Sequence, residues 1–75
     1  MRILIVEDNE KLGRYIKESL EGDGYAVDVV LDGEAGERMA LSGQHDCIVL
    51  DVMLPEKDGI AVCKSLREAD VLTPI

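Results

Sequence analysis

Three acids stand where apolar runs stop. Ile3-Leu4-Ile5-Val6 ends on Glu7-Asp8, and Cys47-Ile48-Val49-Leu50 ends on Asp51. Short, continuously apolar, β-rich runs are the mark of strands covered on both faces of a parallel sheet. In open parallel α/β sheets, ligands bind outside the carboxyl ends of the strands, where the strand order reverses. If these two strands are neighbours, Glu7, Asp8 and Asp51 share one crevice, with no Lys or Arg from the same strand ends. Like charges a few ångströms apart cannot all stay ionised unaided, so such a cluster either binds a cation or shifts its pKa values. A hard divalent ion with oxygen ligands answers the first need. Mg²⁺ fits best, because it takes one or two carboxylates, keeps several waters and completes its shell with phosphate oxygens. Taken singly, the acids have plainer readings: a pair after a strand complements the dipole of the following helix, and Asp51 is a solvated carboxylate that ends a strand.

The elements that must position these acids alternate along the chain, as in βαβ units on a parallel sheet. After the first strand, Asn9 caps a helix over about Glu10 to Glu21, with Leu12, Ile16 and Leu20 as its inner stripe, Tyr15 and Ser19 beside it, and Gly22 and Gly24 ending it. Tyr25 to Val30 alternates around Asp28 and predicts a strand at the sheet edge, where Asp28 is an exposed charge. Asp32-Gly33 leads into a short helix over about Glu34 to Leu41, apolar through Ala35, Met39 and Ala40, closed by Ser42-Gly43. His45 falls in the loop before the third strand and has no expected catalytic or metal role. A loop through Pro55 and Gly59 enters a third helix, about Ile60 to Glu68, with Val62, Cys63 and Leu66 inward, and Thr73-Pro74-Ile75 reads as the first step into a fourth strand. Gly13, inside the first helix, costs about 1 kcal/mol relative to Ala, and nothing in the sequence accounts for it. Right-handed crossovers assemble the pieces into a doubly wound parallel sheet.

Composition narrows the function classes. Sixteen acids against eight bases give a net charge of −8 in 75 residues, which repels a nucleic-acid backbone instead of releasing its counterions, so direct DNA binding by these residues is not expected. A hydrophobic fraction of 47% suits a globular chain, and no apolar run approaches the ~20 residues that cross a bilayer. Met1–Val6 passes from one Arg into a strand without the cleavage site of a signal peptide, which predicts a cytoplasmic protein. Cys47 and Cys63 sit in apolar runs and are expected to be reduced, buried small hydrophobes. A single core of this size supplies only about 3–5 kcal/mol.

The residues also carry a likeness. The pair Glu7-Asp8 after the first strand, followed by Asp51-Val52-Met53-Leu54-Pro55 with Asp58-Gly59 after the third, resembles the receiver domain of bacterial two-component response regulators, and Thr73-Pro74-Ile75 resembles the approach to that family's fourth strand. The likeness covers the whole chain and is greatest to the transcription factors with a winged-helix DNA-binding domain downstream. It implies a flavodoxin-like α/β fold, β1-α1-β2-α2-β3-α3 plus the start of β4, with strand order 2-1-3(-4). It implies that residues 1–75 are a partial receiver, with the rest of the domain and its DNA-binding output domain outside this stretch. Asp51 corresponds to the phosphoacceptor, a carboxylate nucleophile that takes a phosphoryl group from the phosphohistidine of a sensor histidine kinase. Asp8 corresponds to a direct Mg²⁺ ligand, Glu7 to an acid that holds metal-bound water, and Met53 to the residue whose backbone carbonyl completes the protein ligands. Positioning and charge neutralisation carry most of such a phosphoryl transfer. Pro55 and Gly59 shape the loop after the nucleophile, Gly59 admitting a close or positive-φ turn. The family's phosphate-binding Ser or Thr at the end of the fourth strand and Lys after the fifth have no counterpart here: Thr73 precedes the fourth strand, Lys57 lies in the loop after Asp51, and Lys64 lies on the third helix.

Two other readings compete. An aspartate-nucleophile phosphohydrolase shares the strand-end Asp and Mg²⁺, but carries a second Asp two residues on, where this chain has Met53. A receiver fragment that associates without productive phosphorylation is the other, because an order 2-1-3 leaves the third strand as an unprotected edge. That edge predicts self-association near Cys47–Leu50 or the C-terminus.

Overall fold

The computed structural model describes all of residues 1–75. It contains β1 (Arg2–Val6), α1 (Glu10–Gly22), β2 (Ala26–Val30), α2 (Gly33–Leu41), β3 (Cys47–Leu50) and α3 (Gly59–Glu68). The strands form one parallel sheet in the order β2-β1-β3, with Ile3 opposite Val27 and Cys47, and Val6 opposite Val30 and Leu50. The expected element order and strand order are both present.

Because side chains alternate across a strand, β1 serves two cores at once. Leu4 and Val6 pack with Ile48, Ala40 from α2, and Val62 and Leu66 from α3. Ile3 and Ile5 point the other way and join Val27, with Ile16 and Leu20 of α1 and Cys47 packed against them. Each helix begins on an acid or amide that caps it. Asn9 accepts from the Leu12 N–H at 3.1 Å, Asp32 from Ala35 at 2.8 Å and Asp58 from Ala61 at 2.9 Å. These side chains satisfy amides that have no partner inside the helix.

Several expectations change in the packing. Leu12 is 44% exposed and Gly13 takes its place inward. A Cβ on Gly13 would come within 3.0 Å of Val29 Cγ1, so the glycine lets α1 lie close on β2. Cys47 and Cys63 are free but only half-buried, Cys47 packing against the cluster of Ile3, Ile5 and Val27. Asp28 is not a free edge charge. The Arg2 guanidinium donates to both its oxygens, at 2.9 and 3.1 Å, and His45 Nε2 lies 2.8 Å from Oδ2. His45 is accordingly a core group, 6% exposed. An ionised carboxylate only accepts, so Nε2 carries the proton, while Nδ1 is buried without a hydrogen-bond partner. His45 first and Arg2 second hold the Asp28 carboxyl below the usual aspartate range.

Residues 73–75 form no strand, yet the Pro74 carbonyl accepts from the Ile48 N–H at 2.8 Å on the outer side of β3. Apolar side chains stand exposed around that edge: Val49, Leu72 and Ile75.

Candidate phosphoacceptor and cation site

The sheet ladder continues one residue past the strands and sets the acids side by side. The Glu7 N–H donates to the Val30 carbonyl at 3.0 Å, and the Asp51 N–H donates to the Val6 carbonyl at 3.1 Å. Glu7 and Asp51 are therefore held by backbone bonds to β2 and β1 before any side chain is considered, and Asp8 follows Glu7 in the chain. Carboxylate oxygens of Glu7, Asp8 and Asp51 lie within 4.8 Å of one another, with Glu7 and Asp51 half-buried and Asp8 exposed.

Burial is the main force that raises the Glu7 carboxyl above the usual glutamate range, and the Asp51 and Asp8 carboxylates add to it, against the lowering effect of the Asn9 N–H at 3.3 Å. Burial and neighbouring negative charge act the same way, since each disfavours the ionised carboxylate. The donor set is all oxygen, and no cationic side chain enters it. The lysine nearest in sequence to Asp51, Lys57, turns away: its ammonium bonds both Glu37 oxygens at 3.0 Å and Ser65 Oγ at 2.8 Å. This donor chemistry suits a hard divalent cation.

Past Asp51, the chain doubles back at once. The Met53 N–H donates to Asp51 Oδ1 at 3.3 Å, which brings the Met53 backbone beside the carboxylate, while its side chain is 82% exposed. The Gly59 N–H donates to the Val52 carbonyl at 2.8 Å. A Cβ on Gly59 would sit 2.0 Å from the Asp51 carbonyl oxygen. The glycine is thus required by close approach, and the positive φ in this loop belongs to Glu56, at 69°.

The structure brings the Glu7, Asp8 and Asp51 carboxylates together at the strand ends, and it is the Met53 N–H that bonds the Asp51 carboxylate. Sequence reasoning missed the Lys57, Glu37 and Ser65 cluster, whose members come from a loop and two helices and share no motif. No helix is long and apolar enough to cross a membrane.

Comparison with known proteins identifies the family. The family model described as "Response regulator receiver domain" matches residues 3–75. The transcriptional regulatory protein DltR of Streptococcus agalactiae is 43% identical over 75 residues, covering 100% of this chain and 34% of DltR. The alkaline phosphatase synthesis transcriptional regulatory protein PhoP of Bacillus subtilis is 45% identical over 74 residues, covering 99% of this chain and 31% of PhoP. The chain thus spans about a third of the length of these relatives. Among solved structures, the receiver domain of the Francisella response regulator 1452 superposes with a TM-score of 0.93 at 33% identity, over 97% of this chain and 60% of that one. TrrA of Thermotoga maritima, solved in complex with Mg²⁺-BeF, gives 0.85 at 32% identity, over 91% and 59%. A sheet in the order β2-β1-β3, acids at the ends of β1 and β3, and a family match from Ile3 to Ile75 converge on one assignment: the chain belongs to the response regulator receiver domain family.

Proposed function

We propose that this chain is the phosphoacceptor part of a two-component response regulator, with Asp51 taking a phosphoryl group from the phosphohistidine of a sensor histidine kinase in the cytoplasm. The observation that carries the reading is the convergence of the Glu7, Asp8 and Asp51 oxygens within 4.8 Å without a cationic partner. In the transfer, an Asp51 carboxylate oxygen forms a bond to phosphorus as the phosphorus–nitrogen bond breaks, and the imidazole leaves with the electron pair. Asp8 and Asp51 would hold Mg²⁺ directly, with the Met53 backbone carbonyl as a third ligand and Glu7 acting through metal-bound water. When bound, the ion supplies positive charge against the phosphoryl oxygens. The Met53 N–H orients Asp51 by its hydrogen bond to Oδ1. The Mg²⁺-BeF complex of the Thermotoga relative supports the same choice of ion. The transcriptional regulators DltR and PhoP, about three times as long, support a protein whose output lies in a further DNA-binding domain and controls transcription.

Titration with Mg²⁺, with and without beryllofluoride, while following the amide resonances of Asp8, Asp51 and Met53, tests this directly. Shifts centred on those amides are expected, larger with beryllofluoride. Unmoved amides would sink the proposal.

A second reading has its own support. The outer edge of β3 carries a single backbone bond, from Ile48 to Pro74, among exposed Val49, Leu72 and Ile75. Open, apolar edges pair with other chains, so the alternative is a module that acts only by self-association or by binding another protein through this edge, without productive phosphorylation. Sedimentation velocity across a range of concentrations tests its self-associating form, which a concentration-independent monomer removes.

A further inference from the structure

The loop between Asp51 and α3 is anchored at both ends, and only one anchor belongs to the acidic crevice. At the near end, Asp51 Oδ1 takes the Met53 N–H. At the far end, Lys57 spends all three ammonium donors on other elements: two on Glu37 of α2 and one on Ser65 of α3. The pair is half-buried on both sides. Lys57 and Ser65 hold the Glu37 carboxyl below the usual glutamate range, with the lysine acting most strongly. The backbone repeats the attachment. The Pro55 carbonyl accepts from the Gly33 N–H at 3.2 Å and from the Lys57 N–H at 2.8 Å. The Lys57 carbonyl oxygen lies 1.6 Å from where a Cβ on Gly33 would be, so the first residue of α2 is seated on the loop itself. Between the two anchors, Glu56 adopts a φ of 69°. A left-handed conformation at a residue with a side chain persists only when its surroundings hold it there.

We propose that Lys57, through Glu37 and Ser65, is a positioning residue for the cation site: it clamps the far end of the loop to α2 and α3, so that the Met53 backbone stays beside Asp51. The inference rests on the function proposed above, since positioning matters only if Asp51 and Met53 meet an ion. Glu37, Lys57 and Ser65 touch none of the three acids, and the clamp acts through the intervening peptide units. Supporting groups of this kind, one step removed from the ligands, change metal affinity when lost.

The test uses Lys57→Met, which keeps the aliphatic stem and removes the ammonium, beside Lys57→Arg, which can still reach a carboxylate and a hydroxyl. Mg²⁺ affinity is read from the Asp8 and Asp51 amides, and the metal-free state from the chemical shift of the Met53 amide and the hydrogen exchange of the Gly33 amide. Lys57→Met is expected to weaken Mg²⁺ binding about tenfold, to shift the metal-free Met53 amide and to speed exchange at Gly33. Lys57→Arg is expected to stay within about twofold of the parent. Should Lys57→Met fail to fold, Ser65→Ala removes one of the three bonds and is expected to weaken binding about two- to threefold, with the same Met53 shift. Parent-like Mg²⁺ affinity and an unmoved Met53 amide in the folded variant overturn the clamp, leaving a tie between helices. If the parent itself shows no Mg²⁺ shift, the function proposed above has failed, and the two failures are told apart.

Discussion

One carboxylate on the small sheet, Asp28, and the acids just past its strand ends are treated oppositely. Asp28, on β2, faces a guanidinium and an imidazole, and its carboxyl is held below the usual range. Glu7, after β1, faces Asp51 and Asp8, and burial with these neighbours holds it above that range. Asp28 therefore stabilises the fold as an anion, whereas Glu7 opposes it until some other positive charge arrives. Compensation by the protein's own cations makes Asp28 a structural acid, and its absence around Glu7, Asp8 and Asp51 is the electrostatic ground for the cation site proposed above.

Substitutions break this comparison in order of size. Asp51→Asn is expected to abolish covalent phosphorylation by a small-molecule phosphodonor, read by intact mass, with the fold preserved in circular dichroism. Gly59→Ala forces a Cβ toward the Asp51 carbonyl and is expected to cost about 2–3 kcal/mol in urea unfolding, as overpacking does. On the other side of the comparison, His45→Leu leaves Asp28 short of a partner and is expected to cost about 1.5–3 kcal/mol, the range for a hydrogen bond to a charged group.

Acid titration sharpens the contrast. Asp28 has a folded pKa below its unfolded value, so its contribution to stability is complete above that unfolded value and is lost as the pH falls through the folded one. Asp28→Asn is expected to lower the urea midpoint at neutral pH and to flatten its fall below about pH 5. Glu7 runs the other way: its raised pKa gives stability that is present below the unfolded value and is lost as the pH rises through the folded one. Metal-free Glu7→Gln is therefore expected to raise stability at neutral pH by a few tenths of a kcal/mol, the smallest effect of the set. A fall in stability on that substitution would show that Glu7 is already compensated.

Legibility in the sequence followed the range of the interaction. The strands of Ile3–Val6 and Cys47–Leu50 and the caps at Asn9 and Asp32 depend on neighbours a few residues away, so periodicity and residue type locate them. The acidic crevice was readable because strand ends in a parallel sheet share a fixed edge. Asp28 with His45 is a pair 17 residues apart, and Lys57 with Glu37 is 20 apart, and neither has a local pattern. His45 lies between Gln44 and Asp46, which suggest a solvated loop. It is buried nonetheless, with its Nε2 against Asp28 of β2. Gly13 is similar, since its reason is the distance between α1 and Val29, a quantity of packing that no single segment encodes.

β1 also has a consequence for how the molecule opens. Its alternate side chains belong to the two separate apolar clusters, and both of its edges carry strand partners. Neither helical layer can be removed without uncovering it. Its amides should therefore exchange only through the largest-scale opening, as the slowest cooperative unit of the chain. Because Glu7 and Asp8 follow it directly, a cation held there would draw on that unit's rigidity and lend to it: occupancy at one end of the strand would slow solvent access along its whole length, on both faces at once.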